Sequence, residues 1–324
     1  MELPQELKIA IEDIISNINH KNLIANSESI TQKYKNESGL GKHLITSNEE
    51  AGTYSVVRMP ATFGAVYSAL KFTMEFYNEE INSLIDFGAG TGAVSWACSE
   101  LLDFKEITCL EREDAMISIG NSLMKKSKGP LNKAKWVKYD LTRDNFNKKA
   151  DLVVSSYVLN ELSSENRLNA IDKMWQSANK LLIILEPGTP TGSSNLIKAR
   201  DYLLEKGAHI VAPCPHENPC VAKDEWCHFS CRIPRSKIHR EIKKADAAYE
   251  DEKFSYIAVT KKQTEKPEAR ILRHPIIKKG RIQLEVCTKD EIKKVELYKK
   301  HGELYKKARK SNWGDAVCIT PKDI

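Results

Sequence analysis

The sequence predicts an α/β fold built on a Rossmann-like, mostly parallel sheet of seven strands with helices on both faces. Three observations point there. Short apolar runs recur from residue 83 onward, at 84–87, 107–110, 136–139, 152–155, 181–185, 208–211 and 254–259. Amphipathic stretches of helical period lie between most of them, at 94–102, 115–126, 167–178 and 195–206. A glycine-rich turn, Gly88-Ala89-Gly90-Thr91-Gly92, joins the first run to the first of these helices. Continuous apolar runs, rather than alternating ones, mark strands buried on both faces by crossover helices.

The chain divides accordingly. Residues 1–80 predict a helical extension: Ile11, Ile14, Ile15 and Ile18 share one face, and Pro60 opens a second segment carrying Phe63, Val66, Tyr67, Leu70 and Met74. Residues 26–55 are polar, with Gly39 and Gly41 as punctuation, and predict a loop or short helices. Residues 81–211 form the core and 254–262 its last strand. Between them, residues 212–253 hold Cys, His, Pro and basic residues, an insertion long enough to predict a functional segment or separate subdomain. Residues 263–324 predict a small basic subdomain with strands at 270–273 and 282–286 and a basic helix over 292–310.

With 324 residues, 41% hydrophobic and 29% charged, and a mean hydropathy of -0.46, the composition predicts a soluble globular protein rather than a disordered one. Its longest apolar runs fall far short of the roughly 18 residues of a membrane span. The opening MELPQELKIAIEDII is acidic and lacks the basic region of a secretory signal, which predicts a cytoplasmic protein. The net charge of +6 is unevenly spread: residues 1–230 carry a net -5 and residues 231–324 a net +11. A polyanionic partner for the last third would explain this, as would a solvated lysine-rich surface.

The glycine turn ends a strand that reads Leu84-Ile85-Asp86-Phe87-Gly88. Glu111 closes the next strand, where an acid accepts hydrogen bonds from ribose hydroxyls, and Asp140 closes the third, placed for an adenine amino group. Asp86, Gly88, Gly90, Glu111 and Asp140 at consecutive strand ends resemble the S-adenosylmethionine (SAM) site of class I methyltransferases. A dinucleotide-binding domain is the competitor, because Ala93 satisfies the sixth position of G-x-G-x-x-G/A. The D-x-G-x-G form and the late seventh run favour SAM. The fourth strand leads into Ser155-Ser156-Tyr157-Val158-Leu159-Asn160-Glu161-Leu162, which is not an N-P-P-Y tetrad, so no catalytic residue is nominated.

Cys98 and Cys109 sit in apolar surroundings and predict small core residues. Cys214, Cys220, Cys227 and Cys231, with Cys287 later, are packed closely enough to predict a metal site. Their spacing is neither that of a zinc ribbon nor that of a radical-SAM enzyme. Thiolates suit zinc and iron–sulfur clusters alike, and His216 and His228 are further ligand candidates.

Several blocks are similar to one family: VRMPATFGAVYSAL at 57–70, DFGAGTGAVSWA at 86–97, EPGTPTGSSNLIKAR at 186–200, GAHIVAPCPHENPC at 207–220, EWCHFSCRIPRSKIHREIK at 225–243 and YEDEKFSYIAV at 249–259. It is the small-ribosomal-subunit methyltransferase-like family of bacteria and mitochondria, and the resemblance runs from about residue 50 to Trp313-Gly314-Asp315. It implies a class I fold binding SAM, association with the small ribosomal subunit and its rRNA, and a [4Fe–4S] cluster. Carried over by position, the cluster ligands are Cys214, Cys220, Cys227 and Cys287, with Cys231 in reserve and zinc as the alternative metal.

The run after the cysteines supplies Arg232, Arg235, Lys237, Arg240, Lys243 and Lys244, a phosphate-contacting patch in this reading. The expectation is a monomeric, cytoplasmic, SAM-dependent methyltransferase-like protein acting on or assembling the small subunit, with no membrane contact. A non-catalytic assembly factor and a zinc-containing protein methyltransferase are the alternatives.

Overall fold

The computed structural model describes residues 1–222 and 225–318; residues 223–224 of the insertion and 319–324 of the C-terminal subdomain lie outside the described residues. Four helices come first: α1 (Gln5–Ile15), α2 (His20–Glu37), α3 (Asn48–Val57) and α4 (Met59–Met74). Residues 26–55, expected as a loop or short helices, hold the second part of α2, which runs to Glu37, and most of α3, which begins at Asn48. Polar composition hid two signals. Leu23, Ser27 and Ile30 are buried at helical spacing, and the Ser47 side chain accepts the Glu50 N–H as an N-cap. Packing of one face stabilises a helix that propensity alone would leave marginal.

The core follows as β1 (Ser83–Phe87), α5 (Ala93–Ser99), β2 (Glu106–Glu111), α6 (Asp114–Met124), β3 (Lys135–Lys138), β4 (Ala150–Ser156), α7 (Ser164–Ser177), β5 (Ala178–Pro187), α8 (Pro190–Glu205) and β6 (His209–Ala212). Then come β7 (Phe229–Pro234), α9 (Lys237–Lys243) and β8 (Tyr249–Thr260). The sheet order is β3-β2-β1-β4-β5-β8-β6, with β8 antiparallel to both β5 and β6. All seven expected runs are strands of it. A parallel set with one reversed strand slotted between the last two is the α/β class I methyltransferase topology, and β1 and β4 flank the point where strand order reverses. Open α/β sheets bind ligands outside the strand ends at such a point.

The insertion contributes a strand of its own. β8 is 12 residues long; its second half lies in the core, and its first half pairs with β7 from Phe229↔Phe254 to Pro234↔Tyr249. Ile233 on β7 packs so closely on α4 that a Cβ at Gly64 would come 2.0 Å from its Cδ1. Part of the insertion is therefore sheet, not a separate body.

β9 (Ala269–Ile271), β10 (Ile276–Lys278), β11 (Arg281–Cys287), β12 (Ile292–Tyr298), α10 (Gly302–Lys310) and β13 (Ala316–Val317) complete the chain as a second sheet with its own core of Ile282, Leu284, Val286, Val295 and Leu297. The expected helix over 292–310 is corrected: its first half is β12, where buried Val295 and Leu297 alternate with outward residues. Among the described residues, no helix is long and apolar enough to cross a membrane.

Candidate functional site

A cavity of about 480 Å³ opens at the C-terminal ends of β1, β2 and β4, lined by Gly88, Gly90, Glu111 and Asp140 on one side and by Arg58, Tyr157 and Glu161 on the other. The turn needs its glycines. Gly88 has φ +70° and a Cβ there would lie 2.3 Å from Val158 Cγ2, whereas Gly90, at φ +54°, has nothing within 4 Å of that point. The chain has thus left space beside Gly90 that none of its own side chains fills.

Glu111 is held by three backbone donors: Gly90 N–H to Oε2 at 2.8 Å, and Arg112 and Glu113 N–H to Oε1 at 2.8 and 3.0 Å. A carboxylate offers about four acceptor sites, so capacity remains on the cavity side. Burial pushes the Glu111 carboxyl up, against the pull of those donors. At Asp140, burial also works against the charge, yet the Thr142 hydroxyl and N–H, at 2.6 and 2.9 Å, and the Arg112 and Arg143 charges hold its carboxyl below the usual value. Asp86 differs from the other four residues. It is wholly buried beneath the turn and does not line the cavity. One of its oxygens accepts from Ser95 Oγ at 3.1 Å, the other has no partner, and burial pushes it up to about 7.

The opposite wall joins the loop after β4 to residues of α2, α3 and β8. Tyr157 has φ +66°, a position rarely taken by a residue with a Cβ, and its hydroxyl donates to Glu252 Oε1 at 2.7 Å, tying the β4 loop to β8. Tyr34 and Tyr54 stand with ring centroids 6.0 Å apart, and the Arg58 guanidinium lies 5.9 Å from the Tyr34 ring. Burial, with help from Glu111, pushes Glu161 up to about 8. Tyr157 lies in the strand-end loop legible in the sequence, but only the fold turns α2, α3 and β8 onto the same cleft.

A second, small cavity of about 60 Å³ is lined by Cys214, Cys220, Cys227 and Cys287, with His216 and Arg200. β11 brings Cys287 to the insertion, where its Sγ lies 4.0 Å from His216 Nε2. Burial, then the neighbouring Cys214 and Cys220 thiols, push Cys287 up to about 12. Cys231 points elsewhere: it lies on β7 beside Ser68 of α4 and Glu252, outside this cavity. Among the described residues, no group of three or more His, Cys, Asp or Glu is gathered as a metal-ion site. Two buried guanidinium groups flank the thiols. Arg200 donates to Asn218 O, and Arg270 donates to Pro213 O and Gly314 O, both at 3.0 Å. Arg200 Nε and Arg270 Nη2 have no partner.

The basic run after the cysteines is largely paired to acids. Arg232 binds Asp251 at 2.7 Å and Arg235 binds Glu250 at 3.2 Å; Lys237 and Lys244 lie 3.9 and 3.5 Å from Glu241 and Glu28. Lys243 donates to Thr31 Oγ1, and Arg240 Nε is buried without a partner.

Comparison with known proteins places this geometry among relatives. The human "Ribosome assembly protein METTL17, mitochondrial" is 29% identical over 261 residues, covering 74% of this chain and 56% of that protein. The fission-yeast "Rsm22-cox11 tandem protein 2, mitochondrial" is 28% identical over 228 residues, covering 53% of this chain and 29% of that protein. The chain thus spans only about half of the human relative and less of the yeast one. Among solved structures, SAM-bound magnesium protoporphyrin IX methyltransferase from Synechocystis shares 12% identity over 80% of this chain and 98% of its own, with a TM-score of 0.40. Precorrin-6y C5,15-methyltransferase from Geobacter metallireducens shares 16% over 59% of this chain and 84% of its own, with a TM-score of 0.39. Residues 48–318, most of the chain, match the family described as "Mitochondrial small ribosomal subunit Rsm22", and the protein belongs to that family.

Proposed function

We propose that this protein is a monomeric small-subunit assembly factor with a methyltransferase fold, which binds SAM in the cleft, a [4Fe–4S] cluster in the cysteine cavity and the rRNA of the subunit. One observation carries the SAM reading: beside Gly90 the cleft is open, and Glu111 and Asp140 face it from adjacent strand ends. Asp140, kept ionised, would accept from an adenine amino group, and Glu111 has acceptor capacity left for ribose hydroxyls. Asp86 would act from beneath, through the turn it supports. Bound SAM supplies an electrophilic methyl group, and for such a group positioning provides much of the catalysis.

The acceptor side favours a second reading, that of a SAM-holding factor that transfers no methyl group. Burial pushes the Glu161 and Glu252 carboxyls up, and Glu252 already accepts the Tyr157 hydroxyl. The human relative is named a ribosome assembly protein, which is consistent with that reading. Mapping rRNA methylation in cells with and without the gene separates the two: a lost mark supports transfer, while unchanged marks with fewer mature small subunits support assembly alone. Titration calorimetry that finds no SAM binding to the intact protein would overturn both.

Four thiols line the cysteine cavity, and the buried guanidinium groups nearby, Arg200 paired to Asp201 at 2.7 Å and Arg270 lying 3.9 Å from Glu75, each keep one N–H without a partner. A cluster held by Cys214, Cys220, Cys227 and Cys287 would clip β11 to the insertion, coupling cluster binding to local folding.

A further inference from the structure

We infer that the surface facing RNA is one corner of the C-terminal sheet, formed by Lys278, Lys279, Lys299 and Lys300 around Tyr298. This rests on the reading above that the partner is rRNA, and it moves the RNA-facing surface away from the 232–244 run. Charge that looks free in the sequence is largely matched there by internal acids: Asp251, Glu250, Glu241 and Glu28. Residues 276–310, in contrast, hold twelve Lys and Arg against five Asp and Glu. Of these, Arg281, Lys293 and Lys306 alone form ion pairs among the described residues.

The strand ends bring four of the nine unpaired charges to one corner. β10 and β11 form a hairpin whose tip is Lys278-Lys279-Gly280-Arg281, with Gly280 at φ +79°. Arg281 is also the partner of Tyr298 at the end of β12, so Lys278, Arg281 and Tyr298 form one row across three strands, on one face. Lys299 and Lys300 follow Tyr298 directly and are exposed, as are Lys278 and Lys279. The Tyr298 ring is 40% exposed, with Lys300 Nζ 6.0 Å from its centroid and the His301 ring at 6.0 Å. Four lysines without a carboxylate partner at this corner, with Lys300 beside an exposed aromatic ring whose hydroxyl donates to Glu296, match a phosphate backbone with an accessible base or sugar face. A dense anionic partner offsets the mutual repulsion of such a cluster.

The test is binding of the full-length protein to a complete small-subunit rRNA transcript across a salt series. Lys278→Gln/Lys279→Gln/Lys299→Gln/Lys300→Gln is compared with Arg232→Gln/Arg235→Gln/Lys237→Gln. The corner variant should bind about 100-fold more weakly at low salt and flatten the log–log salt slope by about two to four, near one unit for each phosphate it no longer neutralises. Tyr298→Ala, which leaves the charge intact, should weaken binding while keeping the slope. Equal binding by the corner variant and the wild type, or a larger loss in the 232–237 variant, overturns the inference. So does retained RNA binding with lost co-sedimentation on small subunits, which would give the corner to a ribosomal protein. Absence of RNA binding by the wild type itself would instead overturn the rRNA reading on which this rests.

Discussion

Replacing Gly90 by Ala separates the fold from the ligand. At φ +54° an alanine incurs the left-handed penalty of about 1–2 kcal/mol. No steric term adds to it, because nothing lies within 4 Å of the new Cβ, and the backbone N–H still reaches Glu111 Oε2. Melting temperature should therefore drop by a few degrees only. The methyl group projects into the space left for the ligand, and overpacking by a methyl costs about 1–3 kcal/mol, which is about 5- to 150-fold in Kd. Gly88→Ala serves as the contrast: its Cβ would meet Val158 Cγ2 at 2.3 Å, so fold and binding suffer together. Titration calorimetry with SAM, paired with thermal melts of the same samples, reads both effects. Wild-type affinity in Gly90→Ala would refute the reasoning, because the ligand would then not approach the backbone at this turn.

Protein purified without oxygen should be brown; Cys287→Ser should bleach it and Cys231→Ser should not, since the first thiol lines the cavity with three others and the second packs on α4. Iron and sulfide analysis with visible absorption checks this, and the reverse pattern would move the fourth ligand to Cys231. Stability should fall as pH rises. Asp86 is pushed up to about 7 and Glu161 and Glu186 to about 8, chiefly by burial, whereas unfolded carboxyls titrate near ~4. The folded state therefore holds more protons between those values. Its advantage is complete below about pH 4 and lost through pH 7–8, at up to ~1.4 kcal/mol per pH unit for each group. Glu186→Gln should flatten that slope when melts at pH 5.5 and 8.5 are compared. The Glu186 Oε1 already accepts the Leu159 N–H, and its unpartnered Oε2 is the atom the amide nitrogen replaces.

The seven core strands were legible because burial on both faces writes itself into continuous apolar runs such as Leu181 to Leu185, and because the glycine turn marks where β1 ends. Gly88, Gly90, Glu111 and Asp140 followed from strand-end spacing, which is a local property. Legibility failed where non-local packing decides. Arg232 opens the expected phosphate-contacting patch, yet it lies on β7, which is held as a strand by the long first half of β8. β12 reads as a helix from its lysines, yet pairs along the whole of β11. Asp86 sits in the expected motif, but the depth of burial that takes it out of the cleft depends on the helices packed over it.

By itself, then, the sequence determined the α/β class, the strand ends that frame the cleft and the cysteines in play, because periodicity, turn chemistry and residue type act over a few residues. Only the tertiary structure decided which thiols share a cavity, which wall closes the cleft and which positive charges stay free. Those depend on neighbours distant along the chain: Cys287 reaches His216 across 71 residues, Tyr157 reaches Glu252 across 95, and Arg232 is paired by an acid on the adjacent strand. Charge and thiol chemistry are written residue by residue, but whether a charge is paired or a thiol has company is a property of packing.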